Sequence, residues 1–251
     1  AYRVCLLTGN AGQDASALYS DRTALGNRWV GPYLRLQPQL AFVLQDPQGV
    51  CGYTLGCLDT KAFYQRYCTE WLPALRTRWP DPCVARSRAH TYAVTPDGHS
   101  DPRSTDGKDV VNGTEATTPA RPPSLSELTR DEEIYEEFHH PRLFFPALFE
   151  AHYPSHLHID IIARAQGRSL GTHLIATLLS ELKRQGSKGV HLEMHSENQR
   201  AYGFYTQKFG FRVIARRSFD CRLEYVYDSV DTAASPDLPA AHNLYLGLQF
   251  P

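Results

Sequence analysis

The stretch HLHIDIIARAQGRSLGT, residues 156–172, carries the strongest structural signal in the sequence. Its first half alternates as a strand does, and its second half is a turn that contains Gly167 and Gly171. An apolar stripe at helical spacing overlaps the turn and continues beyond it: Leu170, Leu174, Ile175, Leu178, Leu179 and Leu182. A strand that leads through a turn into a helix directs free N–H groups and the positive end of a helix dipole at one place. The stretch therefore predicts a site for a phosphate or pyrophosphate group.

The segments after this turn predict an alternation of helices and strands. Gly186 is expected to end the helix Leu170–Arg184, because glycine readily adopts the left-handed conformation that terminates helices. A strand at Gly189–His195, a helix at Glu197–Lys208 and a strand at Phe211–Arg216 follow.

The segments before the turn predict a hairpin and several helices. Leu40–Gln45 and Val50–Leu58 read as strands joined by a turn that contains Pro47 and Gly49. Tyr2–Leu7 alternates and is expected to form a first strand. Helices are expected at Thr60–Arg78, with Pro73 as an irregularity, at Ser124–Phe138 and at Pro141–Tyr153.

The length of 251 residues and the hydrophobic content of 42% suit a globular protein with a sizeable core. We expect a single domain over residues 1–251. Residues at about 96–123 are rich in Asp, Gly, Ser, Thr and Pro, and this composition predicts a flexible insertion. Residues at about 235–251 are rich in Pro and Ala and are expected to form a loosely attached tail.

Charge and cysteine content narrow the class of protein. The net charge of −1 gives no electrostatic argument for binding nucleic acid or an anionic membrane, and no apolar run approaches the roughly 18 residues of a spanning helix. The N-terminus does not resemble a signal peptide. The six cysteines are scattered without a CxxC pair, which favours free thiols in a reducing, cytoplasmic (or, in a eukaryote, nuclear) compartment. The histidines lack metal-ligand spacing, so we expect no metal site.

The turn lacks the signatures of the common nucleotide-binding loops. No Gly-Lys-Ser/Thr ending of a Walker loop and no GxGxxG dinucleotide fingerprint is present. The turn instead begins at Gln166 and ends at Gly171, and Asn198, Ala201 and Tyr205 follow, with a Gly-Phe pair at residues 210–211. This order resembles that of the GCN5-related N-acetyltransferase (GNAT) superfamily.

The resemblance implies a fold, a cofactor and a set of binding residues. The fold would be an α/β (α+β) domain whose mixed, mostly antiparallel central sheet is splayed at the acetyl-CoA site, with helices on both faces. The residues that would bind acetyl-CoA are Ile161, Ile162, Gln166, Gly167, Arg168, Ser169, Leu170, Gly171, Thr172, Asn198, Ala201 and Tyr205. A backbone N–H of Ile162 or a neighbour would polarise the thioester carbonyl, and residues 168–172 would donate N–H groups to the pyrophosphate.

Two features depart from the pattern of the superfamily. Ser169 occupies a position where glycine is usual, and the interval from Tyr205 to Gly210 is one residue longer than usual. Serine is small and keeps its backbone N–H, so we expect weakened rather than abolished cofactor binding.

Acetyl transfer to an amine requires a base for the amine and an acid for the leaving thiolate. Asp160 is the preferred base, because it lies on the strand expected beside the thioester, and His158 and Glu193 are the alternatives. Tyr205 is the candidate acid, since a tyrosine with a pKa of about 10 is protonated at neutral pH; packing of its ring is the other interpretation. Asn198 is expected to contact the cofactor or to cap a helix. Core packing or an acceptor groove is expected for four aromatic residues, Trp29, Tyr33, Trp71 and Trp79.

A second resemblance lies upstream. The segments GNRWVGPYL, residues 26–34, and VLQDPQGVCGYTLG, residues 43–56, resemble the acetyltransferase-like C-terminal domain of O-GlcNAcase and related stand-alone bacterial acetyltransferases. In the animal enzyme that domain is regarded as a degenerate acetyltransferase with an eroded cofactor turn. Gln166 and Gly171 are retained in this chain, which places it nearer to the relatives that can bind cofactor.

We therefore expect an acetyltransferase that moves an acetyl group from acetyl-CoA to an amine or peptide acceptor by direct attack in a ternary complex. The alternative is a degenerate domain with weak or no coenzyme A binding that serves as a protein-interaction module. The sequence does not distinguish a histone tail, a small amine, an amino sugar and an aminoglycoside as the acceptor. It also leaves the oligomeric state open.

Overall fold

The computed structural model describes residues 1–85, 128–217, 223–225 and 242–251. The helices in these ranges are α1 (Tyr2–Thr8), α2 (Ala24–Trp29), α3 (Gly31–Leu36), α4 (Thr60–Arg66), α5 (Leu72–Arg78), α6 (Arg130–His139), α7 (Ala147–His152), α8 (Leu170–Arg184) and α9 (Gln199–Phe209). The strands are β1 (Ala41–Asp46), β2 (Gly49–Cys57), β3 (Ser155–Ile161), β4 (Gly189–His195), β5 (Arg212–Arg217), β6 (Leu223–Tyr225) and β7 (Asn243–Gln249). A π-helical turn, Tyr67–Trp71, joins α4 to α5.

The seven strands form one mixed sheet in the order β1-β2-β3-β4-β7-β5-β6. β3 and β4 are parallel, and every other pair of neighbours is antiparallel. The predicted mixed, mostly antiparallel α/β sheet is therefore confirmed.

The sheet is splayed between its two central parallel strands. β3 and β4 pair only where they begin, with Ser155 opposite Val190 and His156 opposite His191. The rest of each strand pairs only with its outer neighbour, β2 or β7. Backbone N–H and C=O groups on the two inner edges are thus left to face the gap.

Helices cover both faces of the sheet, as the sequence predicted. On one face, Tyr53, Leu55 and Cys57 of β2 pack among side chains of the helices α1 to α6. On the other face, the predicted apolar stripe of α8 packs with α9 on apolar side chains of β3, β4 and β7. Ile175, Leu178 and Leu182 of this stripe are fully buried, and burial of each such side chain contributes about 1.5–3 kcal/mol.

Local sequence signals set most of the element boundaries. The hairpin turn between β1 and β2 has Gly49 at a positive φ of 103°. The Asp59 side chain accepts from the N–H of Ala62 and so begins α4. Thr129 and Glu132 form a capping box, so that α6 begins at Arg130 rather than at the predicted residue 124. α7 likewise begins only after Pro146, later than the predicted residue 141.

The predicted first strand, Tyr2–Leu7, is wrong, because this segment forms the helix α1. Val4, Cys5 and Leu6 are consecutive and all buried, and the helix packs on β2 and β3. An alternating strand would bury every second residue on one face. The apolar character of seven residues alone does not distinguish a buried helix from a strand.

The expectation of a loosely attached tail at about 235–251 is also wrong for its second half. Residues 243–249 form β7, which pairs with β4 along seven residues and with β5 on its other side. Leu244 and Leu246 of β7 are buried in the core. The flexible insertion predicted at about 96–123 lies outside the described residues.

Two further predictions concern the cysteines and membrane-spanning segments. Cys5, Cys51 and Cys57 are free and buried, whereas Cys221 lies outside the described ranges. Among the helices described, none combines the length and apolar character that crossing a bilayer demands.

Candidate active site

A cleft of about 540 Å³ opens at the splay between β3 and β4. Its walls are the end of β3, the turn that precedes α8, and α9. The predicted site residues that line it are Asp160, Ile161, Gln166, Gly167, Ser169, Leu170, Gly171, Thr172, Asn198, Ala201 and Tyr205. Ile162 and Arg168 do not line it. The structure thus gathers most of the predicted site into one cleft.

The turn before α8 has the backbone shape that the sequence suggested, although it contains a serine. Ser169 has φ 57° and ψ 7°, which is the left-handed conformation that glycine adopts most easily. Its side chain makes no capping hydrogen bond to the helix. Gly167 is also at a positive φ, of 76°. Ser169 therefore adopts a glycine-like backbone at a conformational cost and leaves the first N–H groups of α8 directed at the cleft.

Gly171 lies where the helix comes closest to the opposite wall. A Cβ atom at this position would be 3.3 Å from Cδ1 of Ile161 and 3.5 Å from Cζ of Phe204. A methyl group would just fit, but a longer side chain would occupy the cleft.

Gln166 connects the two walls of the cleft. Its Nε2 donates to the carbonyl oxygen of Ile161 at 2.6 Å, and its Oε1 accepts from Nη1 of Arg200 at 2.8 Å. The side chain thereby ties the end of β3 to the start of α9 and presents the Arg200 guanidinium at the cleft.

The backbone donor expected at Ile162 or a neighbour can be supplied by Ile161. The N–H of Ile162 donates to the carbonyl oxygen of Cys51 on β2 at 3.0 Å. Successive residues of a strand point their N–H and C=O groups to opposite sides. The N–H and C=O of Ile161 therefore face the splay, and the bond from Gln166 to the Ile161 carbonyl agrees with this. The neighbour Ile161 is the residue that can offer an N–H to the cleft.

Asp160 lines the cleft, and two side chains contact its carboxylate. The Tyr53 hydroxyl donates to Oδ2 of Asp160, and Nε2 of His158 lies 3.2 Å from the same oxygen. Tyr53 is completely buried, whereas the side chain of Asp160 retains 19% of its exposure. Tyr53 and Asp160 are cross-strand partners of the antiparallel β2–β3 pair, so both side chains point to the same face.

Tyr205 lines the cleft from α9 and is largely buried. Burial, and then the negative charge of Asp160, raises the pKa of the Tyr205 hydroxyl above its ordinary value. The group is therefore protonated at neutral pH and can donate a proton or a hydrogen bond. Its ring also packs on Phe204 and Phe211, so both interpretations made from the sequence are compatible with the geometry.

Asn198 caps α9 and lines the cleft at the same time. Its Oδ1 accepts from the N–H of Ala201 at 3.0 Å. Asn198 also lines the cleft, and its side-chain amide has N–H donors that the cap does not use. The capping role is thus observed, and a contact with the cofactor stays a prediction.

The alternative base Glu193 lies outside the cleft. Its Oε1 accepts from Nδ2 of Asn243 at 2.6 Å on the neighbouring strand β7. His158, the other alternative, contacts Asp160 but does not line the cleft itself. Among the three carboxylate and histidine candidates, only Asp160 reaches the cleft.

The four aromatic residues mostly belong to the core. Tyr33 is buried and its hydroxyl lies 2.7 Å from Nε2 of His156. Trp71 donates from Nε1 to the carbonyl oxygen of Asn27, and Trp79 stacks on Tyr135. Trp29 differs, because it is 38% exposed.

Some residues that line the cleft could not be assigned from the sequence. Ala11 and Gly12, with φ of 50° and 86°, form a tight turn closed by two backbone hydrogen bonds between Asn10 and Gln13. This turn follows α1 and, with Thr8, also lines the cleft. Arg200 and Lys208 add two cations on α9. The available sequence signal was that both basic residues fall in the predicted helix Glu197–Lys208. Among the residues described, no three His, Cys, Asp or Glu side chains are placed to hold a metal.

Comparison with known proteins places this fold and cleft in a family. A sequence model described as the acetyltransferase (GNAT) family matches residues 147–211, which include β3, the turn, α8, β4 and α9. The crystal structure of SsHAT is 30% identical in sequence with a TM-score of 0.66, and the match covers 99% of this chain and 91% of that one. Protein O-GlcNAcase from Rattus norvegicus and that from Mus musculus are each 26% identical over 195 residues, or 78% of this chain.

The match covers 17% of the length of the two O-GlcNAcases, so this chain corresponds to a small part of those proteins. The match to SsHAT, in contrast, spans nearly the full length of both chains. Together with the splayed sheet and the turn that leads into α8, it settles the family. The chain belongs to the acetyltransferase (GNAT) family.

Proposed function

We propose that this protein transfers the acetyl group of acetyl-CoA to an amine acceptor by direct attack in a ternary complex. The observation that carries the proposal is that one cleft contains the turn that leads into α8, a carboxylate and a tyrosine hydroxyl. The family generally uses acetyl-CoA as its acetyl donor, and the residues of the cleft suit this molecule.

The fit to acetyl-CoA rests on charge and on backbone geometry. The N–H groups at the start of α8, near Ser169 and Gly171, would donate to a pyrophosphate. Arg200 and Lys208 supply positive charge along α9 for the phosphate groups. The N–H of Ile161 faces the splay and would donate to the thioester carbonyl oxygen.

The chain's own groups supply the proton transfers. The neutral amine would attack the thioester carbonyl, Asp160 would accept the proton that the amine nitrogen loses, and the new N–C bond would form as the C–S bond of the thioester breaks. Tyr205 would donate its hydroxyl proton to the departing thiolate and recover a proton from solvent. The raised pKa of Tyr205 keeps it in the acid form required for this role.

The competing hypothesis is a degenerate domain that binds little or no coenzyme A and mediates protein interactions. The likeness to O-GlcNAcase and the serine at position 169 favour it. The glycine-like backbone of Ser169 and the retained Gln166 and Gly171 favour the acetyltransferase. The two hypotheses differ in whether the protein binds acetyl-CoA.

Calorimetric titration with acetyl-CoA separates the two hypotheses. We expect binding in the wild type and a loss of at least about 100-fold in affinity for Gly171→Glu, because the new carboxylate would occupy the cleft and repel the pyrophosphate. Ser180→Glu is the matched control, since it adds the same charge to an exposed position of the same helix. Absence of binding at millimolar acetyl-CoA would sink the acetyltransferase hypothesis.

The role of Asp160 is tested by turnover. Coenzyme A release is followed with a lysine-containing peptide, spermidine, glucosamine and kanamycin as acceptors. Asp160→Asn is nearly isosteric and should retain acetyl-CoA binding while turnover falls about 100-fold or more. Full turnover in this variant would remove Asp160 as the base.

A further inference from the structure

Two side chains contact a single oxygen atom of Asp160, which lines the cleft. Oδ2 of Asp160 accepts from the Tyr53 hydroxyl and lies 3.2 Å from Nε2 of His158. The Tyr53 hydroxyl is itself 3.3 Å from the same His158 nitrogen. Oδ2 is thus the oxygen of the Asp160 carboxylate that both side chains contact.

His158 is the most exposed member of this cluster and does not line the cleft. Its side chain is 34% exposed, whereas that of Asp160 is 19% exposed and Tyr53 is completely buried. The indole of Trp29 stacks on the His158 ring with the centroids 6.3 Å apart and is itself 38% exposed. The Arg28 guanidinium lies 4.0 Å from the centroid of the Trp29 ring and forms an ion pair with Glu137 at 2.5 Å. Trp29 is therefore held beside the imidazole by its contact with Arg28.

We propose that His158 is a proton relay, which takes the acceptor's proton from Asp160 and releases it to solvent beside Trp29, and that Tyr53 is a positioning residue that holds the Asp160 carboxylate toward His158. The inference rests on the proposed acetyl transfer. It assigns a route for the proton that must leave a cleft filled by two substrates.

One proton moves from the acceptor to solvent in three steps. An N–H bond of the acceptor breaks and an O–H bond forms on Asp160. That O–H bond then breaks and an N–H bond forms at Nε2 of His158, in the tautomer that carries its other proton on Nδ1. The resulting imidazolium loses one proton to water, and the carboxylate is ready for the next acceptor.

Among the groups near Asp160, His158 is the one suited to pass the proton on to solvent. Cys5 of α1 and Tyr205 of α9 also interact electrostatically with Asp160, but burial raises the pKa of each. Burial raises the pKa of Tyr53 as well, and the charge of Asp160 adds to this effect. These three groups therefore keep their protons at neutral pH. His156, on the same face of β3, is buried and bonded to Tyr33.

Chemical rescue tests the relay on the full chain. Turnover of wild type, His158→Ala and His158→Gln is measured as coenzyme A release, with whichever of the four acceptors named above is turned over fastest. We expect kcat to fall at least about tenfold in both variants, with acetyl-CoA affinity within about threefold of wild type. Added imidazole should restore turnover in His158→Ala, and a series of substituted imidazoles should rescue in proportion to their basicity. His152→Ala, at an exposed histidine of α7, is the control.

The outcomes separate this inference from the proposed function. Turnover by the wild type with an unaffected His158→Ala variant would overturn the relay and leave the acetyltransferase standing. Reduced turnover that no imidazole restores, or rescue that ignores basicity, would assign His158 a purely structural role and overturn the relay as well. If the wild type neither binds acetyl-CoA nor releases coenzyme A, both proposals fail.

Discussion

Replacement of Ser169 by glycine should stabilise the protein, contrary to the usual effect of glycine in a helix interior. Ser169 has φ 57° and ψ 7°. A residue with a Cβ atom in this left-handed conformation carries a cost of about 1–2 kcal/mol, which glycine does not. Glycine in turn loses about 0.5–1 kcal/mol through the greater freedom of the unfolded chain. No capping bond is lost, because the Ser169 side chain makes none to the helix. The expected net gain in unfolding free energy is about 0.5–1 kcal/mol.

Urea denaturation measures this change, and Ser180→Gly is the matched control. Ser180 is exposed within α8, where the backbone is helical, so the same substitution should cost about 0.5 kcal/mol there. The two variants should thus move the midpoint in opposite directions. For a chain of this size the gain at position 169 corresponds to a rise in Tm of about 1–4 °C.

Acetyl-CoA affinity provides the second measurement on the same variant. The backbone already has a glycine-like shape at Ser169, so Ser169→Gly should leave the dissociation constant within about threefold of wild type. A loss of stability equal to that of Ser180→Gly would refute the left-handed conformation at position 169. An affinity gain of tenfold or more would show that serine distorts the turn.

Three further changes test other parts of the cleft and core. Arg200→Ala should weaken acetyl-CoA binding about 3–10-fold, with the difference shrinking at high salt, because the variant loses a cation proposed to contact the phosphates and its bond to Gln166. Arg212→Ala, at an exposed residue of β5, should leave calorimetric affinity unchanged. Tyr53→Phe should lower kcat while acetyl-CoA affinity is kept, and should cost about 1–3 kcal/mol in urea denaturation because a buried bond to Asp160 is lost. Burial lowers the pKa of His191 to about 4 from an unfolded value near 6.5, so the unfolded chain gains a proton first as the pH falls. Wild type should therefore lose about 2 kcal/mol more than His191→Asn between pH 7 and pH 5, and an equal loss in the two proteins would contradict this assignment.

The sequence was sufficient for the elements whose signals are local. The stripe of α8 and the strand at Gly189–His195 were predicted with the boundaries that the structure has. The hairpin was evident from its turn residues, and the gathering of the turn with Asn198 and Tyr205 followed from the family resemblance. These features depend on periodicity, capping and turn chemistry within about 20 residues.

The features that the sequence did not predict depend on distant contacts. The Tyr53 bond to Asp160 follows from the register of β2 against β3, between residues more than 100 positions apart. Whether the N–H of Ile161 or that of Ile162 faces the cleft depends on which edge of β3 pairs with β2. The alternation of side chains in the sequence does not reveal this edge. The segment Leu244 to Gln249 alternates like a strand, but the Pro/Ala-rich residues before it led to its assignment as a tail. Its place in the sheet depends on pairing with β4 and β5, which come earlier in the chain.

The position of β7 has a consequence for the order in which the protein acquires its structure. This strand separates β4 from β5, yet it is synthesised after both. Until Asn243–Gln249 has emerged, β4 has an open edge on the side away from the splay, and β5 lacks its inner neighbour. The nascent chain therefore exposes two unpaired strand edges through the synthesis of the intervening residues, and such edges recruit other chains. Folding of the half-sheet that bears β4 is thus delayed by its topology, and this interval is where a chaperone would be most needed.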